Sequence, residues 1–96
     1  MSRKWSDEEL EASVKAYLEM YEKFINNKDF KKSEYYKELS EKYGRTPKAF
    51  EYRMQNISHV LSTLGKDWMK VLAPKKNVGA NIQKKIEEIL YKLNIK

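Results

Sequence analysis

The segment that most constrains this chain covers residues 45–64, RTPKAFEYRMQNISHVLSTL. Thr46 is a favourable N-cap, and Pro47 suits the first helical position, where no backbone N–H is needed. Gly65 follows directly and is typical of a helix end. The segment therefore predicts one well-delimited α-helix, the third along the chain.

This third helix has an apolar side and a polar side. Its apolar residues recur at spacings of three and four, so they form one stripe of a helix that turns about 100° per residue. They are Phe50, Met54, Ile57, Leu61 and Leu64. The polar side carries groups that can hydrogen-bond or stack: Lys48, Tyr52, Gln55, His59 and Ser62, with Glu51 and Asn56 at its flanks. Such a side can bind a polar surface, or it can simply be solvated.

Composition favours one small domain over the whole chain, residues 1–96. With 96 residues and 41% hydrophobic content, the chain can bury a single modest core. It contains no cysteine, which excludes disulfides and thiolate metal sites and suits a cytoplasmic location. No apolar run approaches the roughly 20 residues that cross a bilayer, and the first residues lack the apolar core of a signal peptide.

The net charge of +6 is unevenly distributed. Residues 1–44 contain 9 Lys or Arg against 10 Asp or Glu, whereas residues 45–96 contain 11 against 4. A basic half beside a near-neutral half is the expected footprint of a surface that binds a polyanion, although Lys-rich usage can also serve solubility alone. The basic half begins where the third helix begins.

The predicted fold class is all-α, with four helices. Ser6 and Glu9 form a capping box for the first helix, and Gly44 is placed to end the second in left-handed geometry. The predicted helices cover about 6–26, 31–43, 46–64 and 79–93, after a short basic arm at Met1–Lys4 and with an irregular connection over 66–78. The predicted core includes Trp5, Leu10, Val14, Leu18, Leu39, Phe50, Met54, Ile57, Leu61 and Trp68.

The chain contains two motifs at the starts of the first and third helices, Trp5-Ser6-x-Glu8-Glu9-Leu10 and Arg45-Thr46-x-x-Ala49-Phe50-x-x-Arg53-Met54. They resemble the corresponding motifs of Myb/SANT-type helix-turn-helix domains. The resemblance covers residues 5 to about 64 and implies a three-helix core over 5–65 whose third helix enters the major groove, with 66–96 as a C-terminal extension. The sequence departs from the family pattern at Met54, where an aromatic is usual, and at Glu51 and Tyr52, where smaller or basic residues are common.

A longer set of residues comprises Glu51–Ser58, Leu61, Leu64-Gly65, Trp68 and Pro74-x-x-Asn77-Val78-Gly79. It resembles the N-terminal region of McrA-like HNH restriction endonucleases. This resemblance implies DNA targeting for a nuclease, with recognition of modified bases as a narrower form of that role. In those enzymes cutting belongs to an HNH domain, whose motif is not present in this sequence.

The main functional hypothesis is therefore binding of duplex DNA. The candidate DNA-binding residues are Arg45, Lys48, Tyr52, Gln55, Asn56, His59, Lys66, Lys75 and Lys76. Arg45, Lys48 and Lys66 are expected at phosphates. The residues expected at base edges are Tyr52, Gln55, Asn56 and His59. For Asn56 the alternative is a structural bond from the third helix to a neighbouring loop. Arg53 lies beside the apolar stripe, which favours an ion pair with a carboxylate of the first helix over a phosphate contact.

The sequence favours neither catalysis nor a cofactor. His59 is the only histidine, so no paired-His or Cys motif can hold a metal, and no set of nucleophile, base and orienting residue is visible. The rival hypothesis is a small interaction module, such as a mobile-element inhibitor or adaptor, whose basic surface binds an acidic protein partner. Composition and periodicity leave both hypotheses open.

Overall fold

The computed structural model describes residues 4–93, which form four helices and no strand. The helices are α1, Asp7–Ile25; α2, Lys32–Tyr43; α3, Pro47–Thr63; and α4, Ala80–Lys92. The predicted all-α class is confirmed for these residues, and each predicted helix is present with its ends correct to within one position. The predicted basic arm lies, apart from Lys4, outside the described residues.

The starts of α1 and α3 follow their capping residues. The backbone N–H of Glu9 donates to Ser6 Oγ at 3.1 Å, and the Ser6 N–H donates to Glu9 Oε1 at 2.9 Å, so the capping box is complete. Ala49 N donates to Thr46 Oγ1 at 3.1 Å, and Pro47 is the first residue of α3. These local bonds satisfy N–H groups that have no partner inside the helix.

The connection between α2 and α3 is only three residues long, 44–46. Gly44 has a φ of 83°, a left-handed conformation that residues with a Cβ rarely adopt. Its N–H donates to the Ser40 carbonyl at 2.8 Å, which closes the last turn of α2. The glycine thus ends α2 and lets the chain turn directly into α3.

One hydrophobic core joins all four helices. Of the ten predicted core residues, seven are buried: Leu10, Val14, Leu39, Phe50, Met54, Ile57 and Leu61. The prediction is wrong in degree for Trp5, Leu18 and Trp68, which are half-buried and pack against the core. Buried apolar residues outside the predicted core include Tyr17, Met20, Val60, Met69, Leu72, Ile86 and Leu90.

Helix α1 contacts the other three helices, and α4 packs on both α1 and α3. Two ion pairs also join α1 to α4, Asp7 to Lys85 at 2.8 Å and Glu11 to Lys92 at 2.9 Å. The apolar side of α4 is therefore covered within the chain. None of the helices over residues 4–93 combines the length and the apolar character that a bilayer crossing requires.

The irregular segment between α3 and α4, residues 64–79, is anchored in the core and is here called the α3–α4 segment. Met69, Leu72 and Val78 are buried. The N–H of Met69 donates to the hydroxyl oxygen of Tyr17 at 2.9 Å, and Tyr17 Oη lies 2.7 Å from Ser58 Oγ. These buried bonds hold the segment against α1 and α3.

Candidate nucleic-acid interface

The α3–α4 segment runs along one edge of the polar side of α3. Lys75 N donates to the Gln55 carbonyl at 3.1 Å, and the Tyr52 hydroxyl donates to the Asn77 carbonyl at 3.2 Å. The Lys75 ammonium also lies 5.6 Å from the centroid of the Tyr52 ring, a cation–π distance. The candidate surface is therefore formed by a helix and an adjacent segment together.

The predicted base-facing residues divide into two groups. Tyr52 is 37% exposed, and Gln55 and His59, four residues apart on α3, are half-buried at its surface. Residues four apart on a helix are neighbours, so Gln55 and His59 share one patch of the polar side. Asn56 lies apart from this group.

Asn56 is fully buried, which makes its predicted place at a base edge wrong. Its Nδ2 donates to the Lys75 carbonyl at 2.7 Å, and its Oδ1 accepts from Arg53 Nη1 at 2.9 Å. The alternative stated for this residue, a bond from the third helix to a neighbouring loop, is the arrangement in the structure. The Asn56 amide supplies the Lys75 carbonyl with a hydrogen-bond donor where the α3–α4 segment packs against α3.

Arg45 also differs from its predicted role at a phosphate. Its Nε donates to Glu9 Oε2 at 2.8 Å, and its Nη2 donates to Glu9 Oε1 at 3.2 Å and to the Lys4 carbonyl at 2.7 Å. Only 12% of the Arg45 side chain is exposed. This near-bidentate pair fixes the start of α1 to the start of α3, so the guanidinium serves the fold.

The ion pair changes the acidity of Glu9. Burial alone would raise the pKa of this carboxyl, but the hydrogen bond and charge of Arg45, together with the Ser6 N–H, lower the pKa to about 2. Glu9 is therefore ionised throughout the physiological pH range. Its negative charge offsets the charge of Arg45 beneath the surface.

Arg53 does not make the predicted ion pair with a carboxylate of the first helix, because Arg45 occupies Glu9. Its Nη1 donates to Asn56, and its guanidinium carbon lies 4.5 Å from the Trp5 ring centroid, while that of Arg45 lies 4.1 Å away. Burial, and then the nearby charge of Arg45, lower the pKa of Arg53. The sequence placed Arg53 beside the apolar stripe but could not show which arginine meets the carboxylate.

The predicted lysines border the polar side of α3. Lys48, Lys75 and Lys76 are exposed, and Lys66 is half-buried. Within residues 4–93 none of these four lysines forms an ion pair. Lys48 lies near the start of α3 and Lys66 just beyond its end, so they are separated by about the 25 Å length of a 17-residue helix.

One carboxylate of α3, Glu51, lies close to a buried tyrosine of α2. The charge of Glu51 acts on Tyr36 of α2, whose pKa is raised first by burial and then by this carboxylate. On α4, Lys85 and Lys92 form ion pairs with carboxylates of α1, so their positive charges are largely neutralised. Over the described part of the chain, no three His, Asp or Glu side chains come together as metal ligands.

Three comparisons with known proteins, by family model, by sequence and by structure, find no match. The sequence matches no protein-family model, and no curated protein has a significant similarity to it. No solved structure matches it significantly either.

Proposed function

We propose that this chain is a DNA-binding domain that places the polar side of α3 and the adjacent α3–α4 segment on duplex DNA. The observation that carries the proposal is the set of four lysines without an ion-pair partner in residues 4–93 that border this surface: Lys48, Lys66, Lys75 and Lys76. Neutralisation of phosphates by such lysines supplies most of the sequence-independent affinity for DNA.

In this proposal α2, residues 44–46 and α3 act as a helix-turn-helix unit of the Myb/SANT-like kind, and α1 supports it from the inner side. The tight connection at Gly44 supports this assignment, since such units join two helices by a short turn that often contains glycine. The α3–α4 segment covers one edge of the polar side of α3, which reduces the width of the helix surface that can contact DNA. We therefore expect a composite surface in which Lys75 and Lys76 contact the backbone beside the helix.

Base contacts are assigned to Tyr52, Gln55 and His59, which remain at the surface of α3. The amide of Gln55 and the imidazole of His59 can hydrogen-bond to base edges, and the hydroxyl of Tyr52, which donates to Asn77, can still accept a hydrogen bond. The rings of Tyr52 and His59 can stack. A role in targeting a nuclease to DNA, including DNA with modified bases, is a narrower form of the same proposal. Recognition of modified bases requires that the protein bind a modified duplex more tightly than the unmodified duplex of the same sequence.

Fluorescence anisotropy with a labelled duplex tests the proposal. Affinity should fall steeply between about 50 and 200 mM salt, and Lys75→Ala and Lys76→Ala should each lower the slope of log K against log salt by about one unit. Duplexes with and without cytosine or adenine methylation, measured in parallel, test the narrower form.

Lys15→Ala is the matched control for the loss of one positive charge. Lys15 is exposed on α1, whose buried side packs against the inner side of α3, and its partner is Glu11 at 3.1 Å. This control should leave the salt slope unchanged. Absence of duplex binding at low salt would overturn the proposal, and binding to an acidic protein under the same conditions would support the interaction module instead.

A further inference from the structure

Two guanidinium groups share the Trp5 ring, and over residues 4–93 only one of them has a carboxylate partner. Arg45 is paired with Glu9, with Nε to Oε2 at 2.8 Å. Arg53 forms no ion pair with any residue in the range 4–93, and its Nη1 donates to the neutral Oδ1 of Asn56 at 2.9 Å. The cluster of Glu9, Arg45 and Arg53 thus holds one positive charge in excess.

The environment of Arg53 makes this excess charge costly. The side chain is half-buried, and its Nε is buried without a hydrogen-bond partner among the described residues. Removing a charge and a donor from water without a partner costs free energy unless another group compensates. Stacking on Trp5 offsets part of the cost of the charge, but the ring leaves the buried Nε without a hydrogen-bond acceptor.

Arg53 is also close to the proposed DNA-binding surface. Asn56 accepts from Arg53 and donates to the Lys75 carbonyl, so a single side chain connects the guanidinium to the α3–α4 segment. The amide therefore fixes the orientation of Arg53 and the position of Lys75 together. An anion bound at Arg53 would lie on the edge of α3 that this segment follows.

We propose that Arg53 is an anion-binding residue that takes one phosphate group of the DNA backbone, held in place by Trp5 and Asn56. The inference rests on the proposed DNA-binding function. Arginine suits the task because its planar donors match the oxygens of a phosphate, and because the charge remains at every relevant pH. Arg45, already held by Glu9, supports the site without contacting the phosphate.

Inorganic phosphate and a labelled duplex are the two probes. The melting temperature of the wild-type protein should rise with phosphate, relative to chloride at equal ionic strength, since a ligand that binds only the folded state stabilises it. Arg53→Gln should abolish this rise, weaken duplex affinity about tenfold and lower the salt slope by about one unit. In chloride its melting temperature should be unchanged or higher, because an unpaired half-buried charge has been removed.

Two further variants separate binding from a purely structural role. Arg53→Lys keeps the charge and should retain the salt slope, although affinity falls with the loss of the planar donors. Lys15→Gln removes an exposed charge from α1 and should retain the phosphate response. If Arg53 acts only by stacking on Trp5, both Arg53 variants melt lower in chloride and the wild type shows no phosphate response, which overturns the inference.

Failure of this inference differs from failure of the proposed function. A duplex that binds Arg53→Gln with an unchanged salt slope refutes the phosphate contact and leaves DNA binding through the lysines intact. A phosphate response that disappears in Arg53→Gln, in a protein that binds no duplex at low salt, refutes DNA as the source of the anion.

Discussion

The amide of Asn56 donates to the carbonyl of Lys75 at 2.7 Å, across 19 positions of the chain. This bond ties the middle of α3 to the part of the α3–α4 segment that carries two exposed lysines. Asn56 is fully buried beneath this segment, whereas the neighbouring Gln55 is only half-buried. Substitution of Asn56 therefore tests the stability of this surface, and substitution of the adjacent Gln55 tests its binding to DNA.

Asn56→Ala should destabilise the fold by about 1–3 kcal/mol, because it leaves the Lys75 carbonyl and the Arg53 donor without their partner. Urea denaturation at neutral pH measures this loss. DNA affinity should weaken to a similar extent for all sequences. An Asn56→Ala protein with unchanged stability would show that the buried amide is not a structural link.

Gln55→Ala should leave stability within about 0.5 kcal/mol of the wild type, since surface substitutions away from special features have small effects. If its amide makes a bidentate contact to a base, the variant should lose roughly 1–3 kcal/mol for the preferred duplex and keep most non-specific affinity. Competition titrations with preferred and random duplexes measure both. Equal losses for the two duplexes would remove Gln55 from base recognition and leave Tyr52 and His59.

Acid should destabilise the protein through Glu9. The pKa of Glu9 is about 2 in the folded protein against an ordinary value of 4.5, so the unfolded chain takes up its proton first as pH falls. The stability that Glu9 contributes is fully present above about pH 4.5 and is lost as pH falls towards 2, by at most roughly 3.5 kcal/mol. Thermal melts between pH 2 and 7 in constant salt follow this loss.

Glu9→Gln is the control for the acid effect. The glutamine keeps an oxygen that can accept from Ser6 N, but it has no charge for Arg45 and does not titrate. Its stability should be lower at neutral pH, and its pH dependence below 4.5 should be shallower than that of the wild type. Parallel curves for the two proteins would assign the acid sensitivity to other carboxylates.

The helix starts could be predicted from the sequence because their determinants are local. Ser6 with Glu9 and Thr46 with Pro47 act within three residues, and the apolar stripe of α3 follows from helical spacing alone. Lys48, Lys75 and Lys76 lie at the surface for a similar reason, since lysine is almost never fully buried without a partner.

The partners of the arginines and of Asn56 could not be predicted, because they depend on distant parts of the chain. Glu9 is 36 residues from Arg45, and sequence alone offers Arg53 as an equally charged candidate. Asn56 lies at the flank of the polar side, and only the return of the α3–α4 segment buries it. In that segment Met69 and Leu72 are buried in the core, whereas Trp68 is half-buried at its edge. Which of these side chains is buried depends on packing against the other helices.

Tyr17→Phe should destabilise the protein by about 1–3 kcal/mol, because the hydroxyl is the acceptor for the buried Met69 N–H and also bonds to Ser58. Since this bond anchors the α3–α4 segment, the Met69 amide should exchange with solvent faster in the variant, as hydrogen exchange would measure. Ser58→Ala should cost less, since Tyr17 can still accept from Met69. In the double variant the two losses should not add, because both residues share one network. Unchanged exchange at Met69 in Tyr17→Phe would mean that apolar packing alone holds the segment that carries Lys75 and Lys76.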